Sequence, residues 1–345
     1  MSLSLGLNTG YWGAGPPPGA LEAVLEAERL GFDSVWTAEA YGSDALTPLA
    51  WWGSQTTKVR LGTAVLQMSA RRPTATAMAA MTLDHLSGGR FVCGLGVSGP
   101  QVVEGWYGEP FAKPLARTRE YVSIIRDVCA RAGRVTAPGP HYPLPLGVRE
   151  GTGLGKPLRS TLHPVRERIP VMLGAEGPRN IALTAEIADG WLALFYSPHH
   201  EDLYAPRLEE GFARREGGRP AGFEVLATVP LIVHDDVEAA ADMLRPMYAL
   251  YFGGMGAKEK NFHHDVPVRM GYEAEAKRIQ ELYLEGRKDE AAAAVPTRLV
   301  EQLALIGPAD KVRHDLEAWR DSSVTTLLVG GTPEMLRQAA ELVLG

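Results

Sequence analysis

Short runs of aliphatic and β-branched residues alternate along this chain with longer stretches that carry helical periodicity. Leu3 to Asn8 reads as a strand; Gly and Pro punctuate Gly13 to Gly19, and Leu21, Val24 and Leu25 then share one helix face at i, i+3, i+4. Ser34 to Thr37 gives a second strand, and Val59 to Val65 a third. A helix follows from about Thr74 to Leu86, and Phe91 to Leu95 supplies a fourth strand. Tyr121, Ile124, Ile125 and Val128 form the stripe that a helix packed on a sheet requires. The alternation resumes with a strand at Pro170 to Gly174, a helix at Pro178 to Ala188 and a strand at Trp191 to Phe195. It continues with a strand at Val225 to Val233, a helix at Val237 to Tyr251, then helix, strand and helix at Ala309 to Trp319, Thr325 to Val329 and Pro333 to Leu344.

Eight strands, near residues 5, 35, 62, 93, 172, 193, 229 and 327, each followed by helical sequence, predict an α/β fold of the (β/α)8 TIM barrel type. A doubly wound open sheet competes, but no GxGxxG follows the first strand. Two stretches break the pattern: Gly133 to Arg168, rich in Pro, Gly and His, and Gly253 to Pro296. No hydrophilic linker divides the chain, so a single domain spanning 1–345 is expected, with insertions near 133–168 and 253–296.

Composition narrows the class. Of 345 residues, 45% are hydrophobic and 22% charged, which excludes disorder and fibre. A net charge of -6 argues against a nucleic-acid binder or a polybasic membrane-surface protein, so the expected partner is a small molecule. Cys93 and Cys129 lie in no CxxC or Cys/His cluster, which suits a reducing compartment. The start through Leu3, Leu5 and Leu7 has no charged leader, and no apolar run approaches roughly 18 residues. Neither export nor membrane insertion is expected, and the location expected is cytoplasmic.

In a barrel, the site forms at the carboxyl ends of the strands. Asn8 follows the first strand, Glu39 the second, Ser98 and Gly99 the fourth, and Gly174 to Arg179 the fifth. The run Gly174-Ala175-Glu176-Gly177-Pro178-Arg179 is a strand-to-helix turn whose free amides and helix dipole attract an anion, with Arg179 adding charge; an ordinary barrel turn is the other reading. Gly94-Leu95-Gly96-Val97-Ser98-Gly99 lets a flat ring approach the backbone, or merely builds a tight loop. Glu39 follows the apolar Val35 and Trp36, so desolvation would raise its pKa and make it a proton donor or acceptor; a capping or salt-bridged structural carboxylate is the alternative. His141 and Tyr142 are candidate substrate contacts, against the plainer reading of solvated loop residues. The adjacent pairs His199-His200 and His263-His264 do not place their side chains face to face, so no metal is assigned. Trp51 and Trp52 follow Pro48 on a helix, where burial is the default for large aromatics.

Several motifs together carry a resemblance. Leu61-Gly62-Thr63-Ala64-Val65, Arg72-Pro73, the run from Thr82 to Arg90 (TLDHLSGGR), Gly94-Leu95-Gly96 and Arg117 to Tyr121 (RTREY) resemble the bacterial luciferase-like superfamily. Thr37 to Ala45, Val97 to Trp106 and Gly174 to Pro178 are similar to its actinobacterial branch of coenzyme F420-dependent oxidoreductases. The resemblance covers nearly the whole chain, and it alone supplies the cofactor. It implies hydride transfer to or from C5 of a 5-deazaflavin in the barrel mouth. It also implies a non-prolyl cis peptide at Ala64-Val65 behind the ring, a cofactor-phosphate site in the turn after the fifth strand, and Val97, Ser98 and Gly99 beside the ring, with Asn8 in the same cofactor-binding set. Glu39 matches an acidic residue near the deazaflavin, whereas Ala40 stands where sugar-phosphate and alcohol dehydrogenases of the family carry His, and Pro100 where they carry a second carboxylate. That departure favours reduction of an activated C=C or C=N bond, with Glu39, Tyr142 or water delivering the proton. The alternatives are an FMN-dependent monooxygenase of the same fold and a barrel that binds ligand without catalysis. A homodimer through the second and third helices, with Trp51 and Trp52 as interface anchors, completes what the resemblance implies.

Overall fold

The computed structural model describes residues 3–256 and 261–345. Its strands are β1 (Ser4–Asn8), β2 (Ser34–Thr37), β3 (Arg60–Thr63), β4 (Leu66–Gln67), β5 (Phe91–Gly96), β6 (Val171–Gly174), β7 (Gly190–Leu194), β8 (Glu224–Thr228), β9 (Leu231–Val233), β10 (Leu305–Gly307) and β11 (Thr326–Val329). Eight parallel staves run in the order β3-β2-β1-β11-β8-β7-β6-β5, and β5 pairs back onto β3 through Leu61 with Phe91 and Gly62 with Val92. The sheet is thus a closed (β/α)8 barrel, as the alternating pattern predicts.

Packing inside the barrel explains its glycines. Trp36, Val92, Met172, Leu192, Leu226 and Leu328 fill the interior as a buried plug, with Ala64 and Val65 resting on it. A Cβ at Gly62 would run into the Trp36 ring, and one at Gly94 into the Thr63 carbonyl. Thr63 Oγ1 in turn donates to Gly94 O at 2.8 Å and accepts from Gly94 N at 2.9 Å. Side-chain volume and backbone approach are therefore set jointly at the β3–β5 seam, where the barrel closes.

The helix Pro73–Ser87 shows what the TLDHLSGGR run does. Pro73 occupies its first turn, while Gly88 (φ 67°) and Gly89 (φ 87°) end it in the left-handed region that glycine tolerates. Arg90 donates to the carbonyls of Gly53, Thr56 and Val59, and buried Asp84 pairs with Arg166 at 2.7 Å and accepts from Phe91 N at 3.3 Å. The run fastens this helix and the 133–168 insertion to the start of β5, away from the strand ends where chemistry sits.

Two segments depart from the sequence reading, and the two insertions have structure of their own. The expected strand Val59 to Val65 stops at Thr63, turns through a cis Ala64-Val65 peptide and resumes as β4. The expected strand Val225 to Val233 divides into β8 and β9, because Pro230 has no amide to continue the ladder; β9 leaves the barrel and pairs with β10, which hydropathy alone did not single out. Among its described residues the stretch 253–296 holds three helices, Asp265–Arg269, Glu273–Leu284 and Lys288–Ala293. They bury a satellite core that includes Phe195, Phe252, Ile279 and Leu299. Within 133–168, Val135 bridges Leu158 and Ala137 bridges Leu144.

Gly94→Ala is expected to cost at least about 3 kcal/mol of unfolding free energy, since the added methyl meets backbone that cannot yield. Chemical denaturation checks this, and an unchanged midpoint would contradict the packing described for the seam.

Candidate functional site

The barrel mouth is organised around the Ala64-Val65 turn between β3 and β4. Ala64 N donates to Thr37 O at 2.6 Å, and Val65 O accepts from Glu39 N at 3.2 Å, so the end of β2 holds both residues of the turn. The Val65 side chain leans toward the ends of β5 and β6. A Cβ at Gly96 would collide with it, and one at Gly174 would lie 3.2 Å from Val65 Cγ1. Ala64 and Val65 are only half-buried, so the interior plug ends here in a small apolar shelf facing the mouth.

Glu39 secures that shelf. The residue is 7% exposed, and its carboxylate accepts from Arg71 Nη1 at 2.6 and 2.9 Å, from Gln67 N at 2.8 Å and from Ala45 N at 3.3 Å. Its carbonyl accepts from Gln67 Nε2 at 3.2 Å. The lone desolvated carboxylate that the apolar run before Glu39 suggests is corrected here: Arg71 supplies a countercharge, and two amides complete its hydrogen bonding. Nearby, the Tyr107 hydroxyl donates to Ala40 O at 3.0 Å; burial, reinforced by the Glu39 charge, raises the pKa of that phenol.

The other strand ends supply rim and anion site. Ser98 adopts φ 57°, uncommon for a non-glycine residue, at the exit of β5 beside half-buried Val97 and Gly99. At the exit of β6, Gly177 is the N-cap of the helix Pro178–Ile187 and no side chain caps it; Pro178 has no amide and Asn180 N donates to Gly177 O at 2.9 Å, which leaves the Arg179 amide and the positive end of the dipole at the helix start. Arg179 is exposed, with no ion pair among the described residues. Asn8, half-buried at the end of β1, accepts from Gly10 N at 3.0 Å and has Nδ2 3.5 Å from Thr228 Oγ1, bridging toward β8. An apolar shelf fits a flat ring system, and the uncapped helix start fits a phosphate.

The two insertion residues have partners of their own. The backbone amides of His141 and Tyr142 donate to Glu120 at 3.0 and 3.2 Å, and His141 Nε2 lies 3.9 Å from Glu120. Tyr142 is buried edge-on against Tyr121 and under the Arg117 guanidinium, and it borders a small cavity with Met68, Ser69 and Val97. Both residues thus help fasten the insertion to the helix Pro114–Ala130, rather than standing as free loop side chains.

The structure adds residues that the sequence did not single out. Arg71 carries the countercharge to Glu39, and the only local signal for it is a basic residue just beyond β4. Phe195, at the exit of β7, has φ 58° and stacks edge-on with Tyr251 and His263. His263 Nδ1 sits 2.8 and 2.9 Å from the two Glu176 carboxylate oxygens, a pairing 87 residues apart in sequence. Among the described residues no group of three or more His, Cys, Asp or Glu is placed to hold a metal ion.

The chain is thus a closed (β/α)8 barrel with an apolar shelf at the third stave and an uncapped helix start after the fifth. Residues 3–326 match the family described as luciferase-like monooxygenase, and the chain belongs to that family of oxidoreductase enzymes. It is 56% identical over 343 residues, 99% of each chain, to a Mycobacterium tuberculosis H37Rv protein with the provisional name coenzyme F420-dependent oxidoreductase. It is also 26% identical to 5,10-methylenetetrahydromethanopterin reductase of Archaeoglobus fulgidus, over 89% of this chain and 87% of the relative. The solved structure of the coenzyme F420-dependent tetrahydromethanopterin reductase of Methanopyrus kandleri superposes with a TM-score of 0.79 at 22% identity, covering 100% of this chain and 99% of that one.

Arg71→Ala leaves the Glu39 carboxylate buried without its cation and is expected to cost about 3 kcal/mol of stability. Adding Glu39→Gln to that variant should recover part of the loss, because a neutral amide no longer needs the countercharge. Denaturation midpoints of the four proteins of this cycle check the clamp, and strictly additive losses would contradict it.

Proposed function

We propose that this chain is a coenzyme F420-dependent oxidoreductase that reduces an activated C=C or C=N bond of a small organic substrate. The observation that carries the reading is the shelf itself: a half-exposed Ala64-Val65 turn, clamped by Glu39 and faced by Gly96 and Gly174. It supports the reading because the chain shares 56% identity with a protein named for that coenzyme. When bound, the deazaflavin supplies a hydride at C5. Ala64 and Val65 would back its ring, Val97, Ser98 and Gly99 would flank it, and Asn8 would face it from β1. The turn Gly174 to Arg179 would hold the phosphate through backbone amides and the Arg179 charge.

In this reading Glu39 is a positioning residue. Its carboxylate is committed to Arg71 and two amides, so it fixes the shelf. Ala40 and Pro100 offer no side-chain base or acid at their positions, which supports reduction over alcohol oxidation. The name of the Archaeoglobus fulgidus relative, a methylenetetrahydromethanopterin reductase, points the same way. The chain would act as a single domain in the cytoplasm, where Cys93 and Cys129, both buried free thiols, stay reduced. None of the helices among the described residues is long and apolar enough to cross a membrane.

The helix Leu46–Gly53 and the helix Pro73–Ser87 would form a dimer face. Trp52 is buried within the protomer at 3% exposure, whereas Trp51, Met78 and Leu86 are 65%, 62% and 70% exposed. Trp51 is therefore the anchor on this reading, and Trp52 belongs to the core.

Titration of the apoprotein with coenzyme F420 and with FMN tests the cofactor: binding of the deazaflavin is expected. Tight FMN binding without deazaflavin binding would establish the monooxygenase alternative, and deazaflavin binding without turnover over a panel of enones and imines would establish a binding barrel. Sedimentation of wild type and Trp51→Asp tests assembly, the expected result being a dimer that the substitution converts to monomer. A monomeric wild type would contradict it.

A further inference from the structure

Beyond the exits of β6 and β7, Glu176 and His263 form a second charged pair whose side chains the functions assigned so far leave unused. Asn261 Nδ2 donates to the carbonyls of Tyr251 at 3.0 Å and Phe252 at 3.1 Å, and its Oδ1 accepts from the His263 amide at 3.0 Å, so the segment carrying His263 is fixed from its own backbone. The His263 ring is held edge-on between Phe195 and Tyr251, with centroids 5.9 and 5.0 Å away. Nδ1 is taken by Glu176, whose carbonyl accepts from Arg269 Nη2 at 3.1 Å. Nε2 has no protein partner among the described residues, and the side chain keeps 21% of its surface open. A carboxylate that orients one imidazole nitrogen while the other stays free is the arrangement by which a histidine donates or takes a proton at a fixed point.

We infer that His263 is the proton donor to the substrate, oriented by Glu176, a role that rests on the deazaflavin-dependent reduction proposed above. The reduction needs a hydride at one atom of the C=C or C=N bond and a proton at the electron-rich end. The π electron pair moves toward the nitrogen, or toward the oxygen or carbon conjugated with the alkene. That atom forms its new bond to the proton of His263 Nε2–H, whose N–H bond breaks. The substrate gains a hydride and a proton, the reduced coenzyme leaves oxidised, and neutral His263 recovers its proton from water at its open edge. Neither Ala40 nor Pro100 can supply that proton, and the Glu39 carboxylate is held by donors on every side.

Burial alone would lower the His263 pKa, but the Glu176 charge and hydrogen bond reverse this and raise it above the usual histidine value. The other groups around it are few: Arg269 on the Glu176 carbonyl, the Tyr251 phenol with Tyr11 and Tyr41 near it, and His264, whose Nδ1 lies 3.3 Å from Phe252 O. The acid form therefore persists to higher pH than in a free histidine, and the rate should be full below the raised pKa and fall as pH rises through it.

The test uses the full-length protein loaded with reduced coenzyme F420, with 2-cyclohexen-1-one and a cyclic imine as hydride acceptors. Coenzyme oxidation is followed by absorbance. His263→Gln is expected to bind the coenzyme as wild type does, to react at least about 100-fold more slowly and to lose the high-pH fall in rate. Imidazole added to His263→Ala should restore part of the rate. Nitrogen-15 NMR should place the His263 titration above that of a free histidine, and Glu176→Gln should move it down. Turnover of His263→Gln within about threefold of wild type, or a loss of rate matched by a loss of coenzyme affinity, overturns the assignment while leaving the parent reading intact. Wild type that binds no deazaflavin, or passes hydride to neither acceptor, overturns the parent reading and this role with it.

Discussion

The carboxylate of Glu39 joins three parts of the barrel that would otherwise meet only through a short turn. From the end of β2 it reaches across to the Gln67 amide of the resumed third stave, to Arg71 beyond it and to Ala45 at the next helix start. Its own amide holds the Val65 carbonyl. A buried carboxylate is tolerated only where its charge is met and its lone pairs are filled. Here the groups that meet those needs are the groups that must be fixed if a flat ring is to lie on Ala64 and Val65. Packing below supplies the complement: the Trp36 plug and the glycines at 62, 94 and 96 bring β3 and β5 close enough for the turn to close over the interior.

Much of this was legible in the sequence, and for physical reasons. Burial on both faces writes a parallel strand as an apolar run, so all eight staves stood out, from Leu3 to Asn8 through Thr325 to Val329. Four strand ends with glycine or polar residues were recognisable because a barrel places them together. The interruption of the third stave was visible only through resemblance, since Leu61 to Val65 is as apolar as an unbroken strand. Pairings across long sequence separations were not legible. Nothing local ties Glu39 to Arg71, which meet only because β2 and the third stave lie side by side, or Glu176 to His263, which an insertion carries.

The same distinction separates motif from mechanism. The TLDHLSGGR run is the most recognisable stretch of the chain, yet its Asp84, Gly88, Gly89 and Arg90 end a helix and seal the foot of the barrel. The residues proposed to meet a ligand lie at the opposite end, on the turns that follow the strands. Ser98 and Phe195, both in left-handed backbone, mark two of those turns, as strained positions at functional sites often do.

A crystal structure of the protein with oxidised coenzyme F420 tests the central claim most directly. The deazaflavin ring is expected against Ala64 and Val65, with the Glu39 to Arg71 pair unbroken behind it and the phosphate on the backbone amides of Gly177 and Arg179. A ring seated elsewhere in the mouth, or a phosphate on another turn, would contradict it.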